Sequence, residues 1–144
     1  MEYGYRLVRA REVDFCLAGA AEALSEPLYA ALDESGALAS GLTPAEAGVI
    51  LVLEPPEAVQ QRGGRPLALI RGCAVAGSLA EARAAAEAND GEIWRPPVDW
   101  GDAFGAQFPL LLAAAVISPG TPRQLVVAHE TALGAAAAVV EVVW

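Results

Sequence analysis

The sequence contains no lysine: all nine basic residues among its 144 positions are arginine. That absence closes the chemistries that need a lysine amine, among them Schiff-base formation, a phosphate-loop lysine and a catalytic lysine base. Histidine is nearly absent as well, and a single one, His129, excludes multi-histidine metal sites, so neither a metal nor another cofactor is expected. Only two cysteines occur, Cys16 and Cys73, each inside an apolar run, which reads as two reduced, buried thiols of a cytosolic protein. Long apolar runs are missing too. The longest, Phe108 to Ile117, is too short to cross a bilayer, and the opening Met1-Glu2-Tyr3-Gly4-Tyr5 lacks the basic flank and apolar stretch of a secretory leader. A soluble, cytoplasmic protein is the expectation. Positive charge is scarce: nine basic against eighteen acidic residues give a net charge of -9, which repels phosphate backbones and anionic lipid, so neither nucleic acid nor membrane is expected as a partner.

What is present is apolar. Hydrophobic residues make up 55% of a chain long enough for one compact domain, 1–144, with a sizeable core. Leu7, Val8 and the flanking arginines read as the end of a helix, and Val13 to Ala18 as a short buried strand. Ser25-Glu26-Pro27 sets a capping hydroxyl, an acidic residue and a proline where a helix start tolerates each, and that helix should end near Gly36. Gly41 to Glu46 is loop. Gly48 to Glu54 is a β-branched run stopped by Pro55-Pro56, hence a buried strand. Glu57 to Arg62 gives a short helix ending at Gly63-Gly64, and Pro66 to Ala76 a further strand.

Leu79 to Asn89 is alanine-rich with one charged face and should be helical, closed by Asn89-Asp90-Gly91. Trp94-Arg95-Pro96-Pro97 is irregular. Gly101 to Ile117 is the most apolar helix, central and open to a kink at Pro109, and Ser118 to Pro122 ends it. Leu125 to Ala128 and Ala137 to Val143 are the last strands, joined by a hairpin or a close-packed bend, with Trp144 closing the chain on a strand. Strands that lack polar alternation are buried on both faces, so the pattern predicts an α/β fold, a mixed sheet covered by helices. The alanine excess and the missing lysine together read as compositional bias, so alanine clusters are given no functional weight.

Several segments, in this order, resemble the beta-ketoacyl synthase branch of the thiolase superfamily. Val13 to Gly19 with Glu22 resembles the family's strand ending in an Ala-Gly-Gly-x-Glu turn. Ala45 to Glu54 is similar to its Gly-Glu-Gly-Ala stretch and the Leu-Val-Leu-Glu strand that follows, with Glu46 as a structural residue and Gly41-Leu42 where the family has Gly-Phe. Ala58 to Gly63 and Pro66 to Gly72 resemble the Ala-x-x-Arg-Gly-Ala helix end and the strand opening the second half. Gly101 to Ala106 resembles the Gly-His-x-x-Gly-Ala start of the buried C-terminal helix. The resemblance implies a thiolase-like half-fold.

The same resemblance implies what the chain lacks. A condensing ketosynthase uses a cysteine nucleophile at a helix start and two histidines that stabilise the thioester oxyanion and the decarboxylating malonyl group. The segment carrying the nucleophile and the His-Gly-Thr-Gly-Thr segment have no counterpart here. Asp102 stands at the second histidine position, where its charge would oppose an enolate. Cys16 and Cys73 lie in strands, away from any helix dipole that would lower a thiol pKa, so neither is assigned as a nucleophile.

The residues left as a possible pocket or interface are Leu42, Trp94, Trp100, Asp102 and His129. Asp102 suits capping of an apolar helix better than catalysis. His129 and Glu130, adjacent on a strand, point to opposite faces. Trp94 and Trp100 could form a binding lip, although packing of a long loop accounts for them more simply. The leading expectation is a non-catalytic ketosynthase-like partner or scaffold, similar to a chain-length factor, in fatty-acid or polyketide-type biosynthesis. A half-length member of such a fold leaves an apolar face uncovered, so it should form a homodimer or a heterodimer with a longer ketosynthase-like chain, with an acyl carrier protein as a further partner. The alternatives are an acyl-transfer or hydrolytic enzyme with an unrecognised site, using Asp102, His129 or a cysteine, and a small module that binds an apolar ligand.

Overall fold

The structure, a computed structural model, describes residues 1–88, 90–131 and 134–143. The chain runs α1 (Glu2–Arg9), β1 (Cys16–Glu22), α2 (Glu26–Glu34), β2 (Ala47–Leu53), α3 (Pro56–Gln61), β3 (Ala68–Ala76) and α4 (Leu79–Ala85). A 3-10 turn (Phe104–Ala106) then leads into α5 (Gln107–Ile117), β4 (Gln124–Thr131) and β5 (Gly134–Val142). The expected α/β class is observed. The strands pair as two antiparallel sheets, β1-β2 and β3-β5-β4, and parallel pairing is confined to two isolated bridges, Pro44 with Asp102 and Ile93 with Val126.

The boundaries follow local chemistry. The first strand begins three residues later than the apolar run Val13 to Ala18 suggests. Arg11 takes a positive φ of 58° and the Glu12 amide bonds Leu7 O, which closes α1 and carries the chain through a turn. β1 then continues through Ala-Gly-Ala-Ala because β2 supplies its partners from Cys16↔Leu53 to Glu22↔Ala47, an instance of pairing overriding weak strand propensity. The Ser25 hydroxyl caps α2 by accepting from Leu28 N at 3.4 Å. Glu46 holds the approach to that helix, its Oε1 accepting from Leu24 N at 2.8 Å, which is the structural part expected of it.

α4 ends at Ala85, earlier than expected, because Glu87 adopts φ +59 and the Ala88 amide turns back to Arg83 O. Of the expected stop signal, Asn89 lies outside the described residues, as do Ala132, Leu133 and Trp144. Pro109 does not interrupt α5, which runs as one helix from Gln107 to Ile117. It sits in the first turn of α5, where a missing N–H breaks no helical bond.

Alternation along the three-stranded sheet sends side chains to two cores. On one face Cys73, Leu125, Val127, Ala138, Val140 and Val142 pack against Phe108, Leu111, Leu112 and Ala115 of α5. On the other, Ala74, Val126, Ala135 and Ala137 pack against Ala82 and Ala86 of α4. The layers are therefore α4, the three-stranded sheet, α5 and the β1-β2 sheet. The alanines discounted as compositional bias are packing residues: Ala82, Ala86, Ala135 and Ala137 are at most 4% exposed, and their small size lets α4 lie close on the sheet. Gly72, beside the β3 irregularity, is required by that approach, since a Cβ there would strike the Ala86 carbonyl.

The expectation of strands buried on both faces holds for β4 and β5 and fails for β2. Buried residues run consecutively in β4, whereas Ala47–Leu53 alternates half-buried and exposed, with Ile50 and Val52 facing water.

Gly72→Ala is expected to cost about 1–3 kcal/mol through overpacking against α4, seen as a lower urea midpoint with native circular dichroism retained. Cys73 gives a second expectation. Burial pushes its thiol up from the ordinary 9.0 to about 11. The unfolded thiol therefore ionises first, so this contribution to stability is complete below pH 9 and is lost as pH rises toward 11, by up to roughly 2–3 kcal/mol. Urea melts of wild type and Cys73→Ala across that window should diverge in slope, the wild type falling more steeply.

Candidate interaction surfaces

The β1-β2 sheet has one covered and one open face. Ala18 and Leu51 turn inward, toward α1 and α5, while Leu17, Gly19 and Ala21 of β1 and Gly48, Ile50 and Val52 of β2 turn outward. Register places Leu17 opposite Val52 and Gly19 opposite Ile50, so the large side chains cluster at one end of the open face and the glycines and alanine leave a shallow concavity at the other. Leu17 is 62%, Ile50 72% and Val52 60% exposed, and Phe15 just before the strand is 59% exposed. Single exposed apolar residues are ordinary. Leu17, Ile50 and Val52 share one face of the two-stranded sheet and Phe15 precedes it, a larger apolar exposure than scattered single residues.

A second feature lies beside it. The free edge of β2 and the edge of β3 flank a groove of about 700 Å³ whose floor includes Leu112, Val116 and Ile117 of α5 and Val8 of α1. Arg9, Arg11, Arg62, Arg65 and Arg71 surround it, five of the nine basic residues of an acidic chain. Four of them are held by their neighbours. Tyr5 donates its hydroxyl proton to Arg71 O at 3.0 Å and receives Arg9 Nη1 at 3.1 Å, with the Arg9 guanidinium 5.9 Å from the ring centre. Arg62 grips Glu54 through Nε at 3.2 Å and Nη2 at 2.7 Å, and this bond holds the Glu54 carboxyl below its usual range. Arg11 lies 3.2 Å from Glu57, and Arg71 with Arg123 pairs Glu141, lowering that carboxyl likewise. Arg65 is exposed and has no polar partner among the described residues. The signal for this cluster was available in the sequence: six of the nine arginines fall within residues 6–11 and 62–71, two segments that α1 and the α3-β3 turn bring together.

The five residues singled out from the sequence line neither surface. Asp102 holds a local turn rather than a helix cap: its Oδ1 accepts from Phe104 N at 2.7 Å and its backbone bonds Thr43 O and Ala45 N, each at 2.8 Å, while the N-cap positions of the 3-10 turn and of α5 fall on Ala103 and Ala106. Leu42 sits half-buried in the preceding loop. Trp94 and Trp100 pack half-buried against the main core, with Trp94 N bonded to Val126 O at 2.8 Å, so both indoles pack. His129 pairs with Ala136 in the β4-β5 ladder, and its Nε2 is buried without a hydrogen-bond partner among the described residues. Glu130 points the other way and accepts from Leu79 N at 3.0 Å, which excludes a His129-Glu130 acid-base pair. Cys73 is 7% exposed with a thiol pushed away from ionisation, the opposite of an activated nucleophile. Among the described residues no three His, Cys, Asp or Glu side chains group to hold a metal ion, and no helix is long and apolar enough to cross a membrane.

No family model and no curated protein matches the sequence. Among solved structures, the ishigamide ketosynthase/chain length factor matches with a TM-score of 0.76 and 19% identity, over 99% of this chain and 57% of that one. The chain thus spans little more than half the length of that neighbour, and the likeness shows that the two share a fold over that part.

Proposed function

We propose that this chain is a single ketosynthase-like domain, 1–144, without condensing activity, which serves in the cytoplasm as a partner or scaffold for a longer ketosynthase-like chain. Its role would be like that of a chain-length factor in polyketide or fatty-acid-type biosynthesis, with an acyl carrier protein as a further, acidic partner. The observation that carries the reading is the open apolar face at Leu17, Ile50 and Val52. Burying each such side chain on association is favourable by roughly 1.5–3 kcal/mol before the entropic costs of binding are counted, so a face of this kind drives pairing. The fold likeness to a ketosynthase/chain length factor supports the class of partner. The non-catalytic reading is supported by the use of the Asp102 carboxylate in a local bond to Phe104 N and by a Cys73 thiol that burial pushes up to about 11.

Native mass spectrometry of the tagged protein from its own host should show a complex with a ketosynthase-like chain. Leu17→Glu, at a position that lines the open face and not the groove, should weaken that complex at least tenfold while leaving circular dichroism unchanged. A tight complex that survives this substitution would overturn the assignment of the face. Incubation with an acyl thioester should leave the intact mass unchanged. An added acyl mass that disappears in Cys16→Ala would instead establish an acyl-transfer enzyme.

A further inference from the structure

Helix α2 is the one element that the rest of the fold does not explain. Among the described residues it buries no side chain, and it carries acidic residues at both ends and no basic one. Glu26, Tyr29 and Asp33, spaced i, i+3 and i+7, share one stripe of the helix, and all three are exposed, Tyr29 by 46%. The stripe is thus an aromatic ring with a carboxylate on either side. The groove beside β2 has the complementary chemistry, an apolar floor from α5 with Arg9, Arg11, Arg62, Arg65 and Arg71 around it. Three of those arginines already meet a carboxylate of this chain, yet all five guanidinium-bearing residues remain exposed, and Arg65 is unpaired among the described residues.

α2 does not line the groove of its own chain: it follows Glu22, which pairs Ala47, whereas along β2 the groove is lined from Ile50 to Leu53 and on through Pro55 and Glu57. We infer that the groove is the seat for α2 of a second copy of this chain, with Tyr29 on the apolar floor and Glu26 and Asp33 against the arginines. Each copy offers one helix and one groove, so the contact is made twice about a two-fold axis and closes at a dimer. Tyrosine is a frequent anchor in such interfaces, since a rigid ring brings much buried area for little lost freedom. This pairing goes beyond the partner role proposed above; the groove shares Ile50 and Val52 with the open face, whereas Leu17 lines only the face and Arg65 only the groove. The pairing is tested on the purified chain alone, so its failure leaves the partner reading standing and the reverse also holds.

Sedimentation velocity over a concentration series should show a dimer for wild type, weakened by raising NaCl because charge complementarity contributes to it. Tyr29→Ala, Asp33→Arg and Arg65→Glu, all at exposed positions, should each weaken self-association at least tenfold with unchanged thermal melts. The decisive arm mixes Asp33→Arg with Arg65→Glu. In that heterodimer one helix-groove contact is native and the other has its charges exchanged, so association should return to within a few-fold of wild type. A wild-type monomer at 100 µM, on the order of the weakest specific homodimers, would overturn the inference. So would a dimer indifferent to all three substitutions, or single variants that weaken the dimer without recovery on mixing. Retained self-association in Arg65→Glu together with loss of a co-purifying ketosynthase-like chain would overturn it too, by giving the groove to that partner.

Discussion

Helix α5 runs from Gln107 to Ile117 without a charged side chain, and a helix apolar nearly all round has no side that water would wet favourably. It has to be packed between layers, and the remaining elements are arranged by that requirement. Leu111, Leu112 and Ala115 settle on Val127, Val140 and Val142 of the three-stranded sheet, and Leu51 of β2 closes over the same core from the other direction. Once Leu51 is committed inward, the two-residue period of a strand commits Ile50 and Val52 outward. No layer among the described residues covers them. The open face is a consequence of how the helix is buried, and its apolar character comes from the β-branched run that makes β2 a strand at all.

That face is also where sequence and structure part most clearly. The order of elements could be read because punctuation is strong: Ser25-Glu26-Pro27, Pro55-Pro56, Gly63-Gly64 and Ser118 to Pro122 each mark an observed boundary to within a few residues. Gly48 to Leu53 was equally legible as a strand. Its unbroken apolar pattern records that both faces require cover, but a linear pattern does not record whether the cover belongs to the same chain. β1 was misplaced because Ala-Gly-Ala-Ala has no intrinsic claim to be a strand and becomes one only through β2.

The alanines of α4 and β5 were undervalued for a related reason. Composition alone cannot separate a biased stretch from a close-packing face, and only the approach of α4 to Gly72 separates them. Among the residues marked in advance, Asp102 bonds the Phe104 amide in a turn ahead of α5 without being the cap of either helix, and Trp94 and Trp100 pack as a long loop would. His129 enters neither interaction surface. The arginine-lined groove escaped notice because its members come from segments some fifty residues apart, joined in space through the Tyr5 bond to Arg71. The acidic net charge, read as a whole-chain property, concealed a local excess of arginine, five against Glu54 and Glu57 around the groove.

The functional reading turns on whether the open face of β1 and β2 is covered in the assembled protein. Hydroxyl-radical footprinting reads that directly, by comparing side-chain oxidation in the isolated chain with that in the assembly from its own host. Leu17, Ile50 and Val52 should lose most of their reactivity in the assembly, while Val75 and Val98, exposed elsewhere, keep theirs. Equal oxidation of Leu17, Ile50 and Val52 in the two samples would contradict a partner seated on that sheet.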